Sequence, residues 1–250
     1  ALFGESGVAK GLTAGKVVVD MSSISPVETK QFAQKIEALG CDYLDAPVSG
    51  GDVGARNAAL SIMVGGKEEV FERCKPLLEV IGKTVTYCGP SGAGQTVKLC
   101  NQVLVSVTNL AVCESVVLAK KAGSNPATMI EAVKNGAAGS WQLSNLGPKM
   151  LQGDYRPGFK VWHQQKDLRL ALEVGPTVAP GVVDGVAHLE ERGPAVGAVA
   201  GEVRAGEERL AVRREEGGEG PAAGSRHGLQ RVHVHGVDVV AREERVVRVE

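Results

Sequence analysis

Three short stretches carry side chains whose types and spacing suit chemistry. The first, Asp45-Ala46-Pro47-Val48-Ser49-Gly50-Gly51, leaves an apolar run and enters a loop. Two adjacent glycines leave backbone N–H groups uncovered beside the Ser49 hydroxyl, so a small carboxylate could sit there. The same residues also make an ordinary strand-exit turn. The second, Gly92-Ala93-Gly94-Gln95-Thr96-Val97-Lys98-Leu99-Cys100-Asn101, opens a long helical pattern. As a dinucleotide fingerprint it fails, because Val97 stands at the third glycine position and no strand follows. What remains is Lys98 and Asn101, three residues apart and so on one helix face. A lysine there meets a positive helix dipole, and with partial burial its pKa falls toward that of a useful proton donor. An ordinary solvated lysine has the same spacing. The third stretch, Lys166-Asp167, opens the last clear helical pattern, where an aspartate in the first turn is routine capping. His163 has no carboxylate or serine at suggestive spacing and reads as structural. His233 and His235 would place two ligands on one strand face, but they mean nothing if that region is misread, and no metal site is expected. No P-loop, HExxH or GxSxG motif occurs.

The elements that must position these residues change character along the chain. Lys16–Met21 is a short β-branched run and reads as a buried strand. Ser25-Pro26-Val27-Glu28 follows, with an N-cap serine, proline at the first helical position and glutamate three residues after the cap. The helix it opens is expected to reach Leu39, with Gly40 as a left-handed stop and Val27, Phe32, Ile36 and Leu39 as its apolar face. Further strands are expected at Asp42–Ala46, Leu60–Val64 and Lys83–Cys88, with a helix kinked at Pro76 over Lys67–Ile81. From Gly92 the period is helical: Thr96–Lys121 without Pro or Gly, Asn125–Val133, Ala138–Leu151 interrupted at Gly147-Pro148, and Gln165–Glu173. Strands first and helices afterwards predict two regions joined near Ser91, a partial parallel sheet with helical cover and then a helical bundle.

Composition bounds the function classes. The chain has 250 residues, a formal charge of −1 and 43% hydrophobic residues. That suits one or two domains and gives no electrostatic reason to expect nucleic acid as a partner. No unbroken apolar run approaches the ~18 residues of a membrane span, and no secretory signal pattern opens the chain, so no membrane partner is expected. Five cysteines with no CxxC pair read as reduced, mostly buried thiols of a cytoplasmic protein. The average conceals a seam. All 14 lysines precede Glu173, whereas 10 of the 14 arginines follow it. Val, Gly, Ala, Glu and Arg supply 61 of the last 77 residues, which contain no Phe, Tyr, Trp, Ile, Met, Cys, Asn or Lys. The expected organisation is therefore residues 1–90, 91–173 and an irregular low-complexity tail over 174–250, read as a shifted frame of a G-rich coding sequence.

VVVDMSS (17–23), DAPVSGG (45–51), MVGG (63–66), GAGQTVKLCNQ (92–102) and PGF…KDL (157–168) together resemble the β-hydroxyacid dehydrogenases, in order and with compatible spacing from Ala1 to about Glu173. The resemblance implies the second half of a Rossmann domain followed by an all-α domain entered by a long helix. It implies NAD or NADP as cofactor, a small carboxylate substrate (a 3-hydroxy acid or its semialdehyde) and a homo-oligomer. By the same resemblance Lys98 matches the catalytic lysine, and Ser49, Gly50 and Gly51 match the loop that holds the substrate carboxylate. Asn101 matches an amide that binds substrate and orients the lysine, which some relatives carry at the position of Gln102. Ser23 and Lys166 match positions that contact the dinucleotide. The family's glycine-rich loop lies in a first βαβ unit that this sequence does not contain, and the divergent tail stands where further helices are expected. The chain alone is therefore expected to bind NAD(P) weakly or not at all, to oligomerise less readily than the family and to aggregate through exposed apolar faces. A non-catalytic assembly module and an imine reductase-like relative are the alternatives, and retained Lys98 argues against both.

Overall fold

The computed structural model describes residues 2–178 and, further on, 230–234 and 237–241. The first unit opens with a 3₁₀ turn at Val8–Gly11, then β1 (Val17–Asp20), α1 (Pro26–Glu37), β2 (Asp42–Asp45), β3 (Val48–Ser49), α2 (Gly51–Arg56), β4 (Leu60–Gly65), α3 (Glu68–Leu78) and β5 (Gly82–Gly89). Four helices follow: α4 (Ala93–Lys121), α5 (Pro126–Val133), α6 (Trp141–Leu151) and α7 (Val161–Val178). In the second unit β6 (Gln230–Val234) and β7 (Val237–Ala241) form an antiparallel hairpin, Gln230 opposite Ala241. This hairpin is regular structure within the tail expected to be irregular. Residues 174–178 of the tail complete α7, and the remainder, including His235 of the histidine pair, lies outside the described residues.

Alternation along the strands divides the sheet into two faces. Val18 and Tyr43 point to one side and pack with Ala33 and Ile36 of α1. Leu44, Leu60, Ile62 and Val64 point to the other and pack with Val70, Phe71 and Leu78 from α3. The face α1 buries is Pro26, Thr29, Ala33 and Ile36, while Val27 and Leu39 are exposed. Two of the four apolar positions predicted for that face therefore meet solvent, because Val27 lies about 100° round the helix from Pro26 and Leu39 lies beyond the end of α1 at Glu37. Ser25 Oγ accepts from Val27 N–H at 3.3 Å, as the capping pattern requires.

The sheet is mixed, not parallel as expected. β1 pairs β2 and β4 pairs β5 in parallel, but β4 runs antiparallel to β2 and β3. The reversal follows from β3, which leaves β2 and pairs antiparallel with β4, Val48 opposite Ile62 and Ser49 opposite Ser61, so that β4 returns alongside the segment it came from.

α4 has 29 residues. Val112 and Val116 pack against Ile130 of α5 and Leu143 of α6, forming the core of the helical part. Val97, Leu104, Val107 and Leu118 are exposed. Contrary to the expectation from unbroken runs, α4 is long and apolar enough by length and composition to cross a membrane. Ser106, Thr108 and Asn109 break its apolar runs without lowering its average much. α6 runs straight through Gly147-Pro148, where an interruption was expected; a Cβ on Gly147 would lie 2.9 Å from Ile130 Cδ1, so that glycine lets α5 approach. The five cysteines are all unpaired, yet only Cys41 is buried and Cys100 is exposed, a wetter set than expected.

Candidate active site

The site begins at the C-terminal ends of β1 and β2, where the first turn of α4 meets the sheet. Asp45 ends β2 with no solvent exposure. Its carboxylate accepts from Gly92 N–H at 2.8 Å and from Gln95 N–H at 2.9 Å, satisfying two of the orphan donors at the N-terminus of α4. Burial pushes the Asp45 carboxyl up, and those backbone bonds oppose the shift. The contact is close enough to require glycine. A Cβ on Gly94 would stand 2.4 Å from Met63 O, and one on Gly65 would stand 2.6 Å from Asp45 Oδ1. The glycines of GAGQ thus make room for a carboxylate and a strand edge of this chain.

Lys98 follows one turn later and is 7% exposed. Burial, the largest cause, lowers its pKa; the Lys166 charge lowers it further while Asp167 opposes. This is the direction expected from the sequence. Lys98 Nζ donates to Gln102 Oε1 at 3.0 Å, and Asn101 Nδ2 donates to the same oxygen at 2.8 Å. The direct partner of Lys98 is therefore Gln102, four residues on, with Asn101 joined through it. Gln102 Nε2 donates to Asp167 Oδ2 at 2.6 Å and to Gln164 Oε1 at 3.2 Å.

Asp167 is 1% exposed and lies in the second turn of α7, because that helix begins at Val161. It is a buried carboxylate of the Lys98 cluster and not the first-turn cap expected of it. Lys166 Nζ lies 2.9 Å from Asp167 Oδ1 and donates to the Ser23 carbonyl. Ser23 and Lys166, separated by 143 positions, are thereby in contact. His163 stacks on Phe159 and lies against Trp162 in a tilted arrangement.

Ser49 closes β3 opposite Ser61, and Gly50 and Gly51 take φ of 133° and 62° at the start of α2. Those angles favour glycine. Among the described residues, no hydrogen bond ties Ser49, Gly50 or Gly51 to the Lys98 cluster. Gly51 instead faces the loop before α7, where an added Cβ would lie 3.9 Å from Gly158 O. No cluster of metal-ligating side chains occurs among the described residues.

The carboxyl ends of the strands in an α/β sheet are where such folds bind nucleotides, and comparison with known proteins agrees with a nucleotide-binding region. Residues 1–89 match the family model described as the NAD binding domain of 6-phosphogluconate dehydrogenase. Residues 92–183 match that described as NAD-binding of NADP-dependent 3-hydroxyisobutyrate dehydrogenase. The chain belongs to the β-hydroxyacid dehydrogenase family. It is 51% identical over 178 residues to 2-hydroxy-3-oxopropionate reductase of Escherichia coli K12, covering 71% of this chain and 61% of that protein. It is 43% identical over 173 residues to 2-(hydroxymethyl)glutarate dehydrogenase of Eubacterium barkeri, covering 69% and 58%. A crystal structure of 3-hydroxyisobutyrate dehydrogenase from Salmonella typhimurium superposes with a TM-score of 0.67 at 31% identity, over 76% of this chain and 68% of that one. The chain spans about three fifths of the length of these curated relatives. The compositional seam at Glu173 falls inside α7, and the second family model extends past it to residue 183.

Proposed function

We propose that the protein is an NAD(P)-dependent oxidoreductase interconverting a small 3-hydroxy acid and its semialdehyde, of the tartronate semialdehyde or 3-hydroxyisobutyrate type. The tartronate type is preferred, in keeping with the 51% identical reductase. The observation that carries the reading is Lys98, buried, lowered in pKa and aimed by a side-chain amide. The residues present fit the nicotinamide end of a dinucleotide. The Ser22–Ile24 loop lies at the carboxyl end of β1, where open α/β sheets bind nucleotides, and Lys166 reaches it from α7.

When bound, NAD(P)H supplies the hydride. Lys98 gives a proton from Nζ to the carbonyl oxygen of the semialdehyde, and in the oxidative direction its neutral amine takes that proton back. Asn101 and Gln102 hold the ammonium in place; Gln102, bonded to Asp167 on its other side, resists rotation. Ser49, Gly50 and Gly51 bind the substrate carboxylate through the hydroxyl and free backbone N–H groups. Ser23 and Lys166 contact the dinucleotide. The five unpaired cysteines suit the cytoplasm.

Steady-state reduction of tartronate semialdehyde with NADPH tests the reading. Lys98→Ala should lower kcat by about 10²–10⁴-fold, the range for loss of a general acid. A rate within a factor of two of the wild type would remove Lys98 from the chemistry.

A further inference from the structure

Gln95 is a polar side chain with no solvent exposure, and none of the roles above uses it. Its amide grips one loop with both of its ends. Nε2 donates to the Ser22 carbonyl at 2.7 Å, and Oε1 accepts from Ile24 N–H at 3.1 Å. Between those two points lies Ser23, whose carbonyl accepts from Lys166. The Gln95 backbone is fixed in turn, because its N–H donates to Asp45 at the end of β2. Lys98 lies three residues further along the same helix.

We propose that Gln95 is a positioning residue, a clamp that holds the Ser22–Ile24 loop against the first turn of α4 and so sets the cofactor-contacting loop relative to Lys98. The role of the clamp in cofactor binding rests on the oxidoreductase reading of the site; the clamp itself does not. The chemistry asks for a primary amide. A donor must face the Ser22 carbonyl while an acceptor faces the Ile24 N–H, and the side chain that supplies both has no solvent exposure. Leucine has neither group. Glutamate at neutral pH has only acceptors and would also oppose the Asp45 carboxylate.

Hydrogen exchange on the full chain without cofactor, read by mass spectrometry, tests the clamp. In Gln95→Leu, the Ile24 amide should exchange about tenfold faster or more, because the acceptor of its N–H and the donor to the Ser22 carbonyl are both lost, while α5 and α6 keep their protection. In Gln95→Glu the loop should be unprotected near about pH 8. It should recover near about pH 5, once a buried carboxyl with raised pKa is protonated and can again donate to Ser22. A residue that merely fills space would show no such recovery. NADPH titration followed by its fluorescence should show affinity about tenfold weaker in Gln95→Leu, the equivalent of about 1.4 kcal/mol. Unchanged loop exchange, uniform acceleration in every element, or Gln95→Glu without recovery would each overturn the clamp. A loosened loop with wild-type NADPH affinity would overturn its role in cofactor binding. If the wild type itself gives no NADPH signal, as weak binding by this chain alone would produce, the exchange data alone decide the clamp.

Discussion

At the scale of single residues, Lys98 sets an expected pH dependence. Its pKa lies below the ordinary 10.5 because burial disfavours the ammonium. Reduction needs that ammonium, so its rate should be constant at lower pH and fall as pH rises through the lowered pKa. Oxidation needs the neutral amine and should rise across the same interval. Initial rates in both directions from about pH 6 to pH 11 check this, and the two limbs should share one apparent pKa. Reduction still at full rate above the ordinary lysine pKa would contradict it. Lys98 was legible in the sequence because a lysine in the first turns of a helix runs against the dipole. Gln102 was visible only as a neighbour of Asn101, since spacing does not reveal which of two adjacent amides turns inward. Asp167 was misread as a cap because the start of α7 was placed four residues late, and Gln95 gave no signal: its partners lie more than 70 positions away in sequence.

At the scale of elements, local rules placed most of the strands and helices and failed where tertiary contact decides. The Ser25-Pro26 cap and the left-handed Gly40 were readable because they depend on neighbouring residues alone. The direction of β4 was not, since parallel or antiparallel pairing depends on how the chain returns after β2. The glycines of GAGQ fail as a dinucleotide fingerprint, and Gly94 is required instead by the α4–sheet contact. Gly94→Ala should therefore lower stability by about 1–3 kcal/mol through overpacking. Gly11→Ala, where an added Cβ meets nothing within 4 Å, should stay within about 0.5 kcal/mol of wild type. Thermal or urea unfolding of the pair checks this, and equal midpoints would show that the α4–strand approach can relax.

At the scale of the whole molecule, the exposed faces are as informative as the core. Val97, Leu104 and Leu118 share one lane of α4, spaced by multiples of seven residues, and Val107 lies beside it. A helix lane of this kind is suited to packing another helix. Sedimentation velocity should show concentration-dependent self-association of the chain, reduced in Leu104→Glu and Leu118→Glu. A single monomeric species at all concentrations in the wild type would refute it. The division into a sheet part and a helical part near Ser91 was legible because the hydrophobic period changes there from two to 3.6. The seam at Glu173 was equally plain as composition, yet α7 passes through it to Val178.

The contact of Asp45 with α4 bears on descent as well as on stability. A larger residue at 94 or 65 strikes the carboxylate or the strand edge, and loss of the carboxylate leaves two helix N–H groups without an acceptor. None of the three positions can drift alone, so lineages should change them jointly or leave them untouched. That makes an aspartate at a strand end, a glycine about 20 residues on and another about 29 beyond it a three-point signature. Such a signature should detect remote kin even where the catalytic lysine has been replaced.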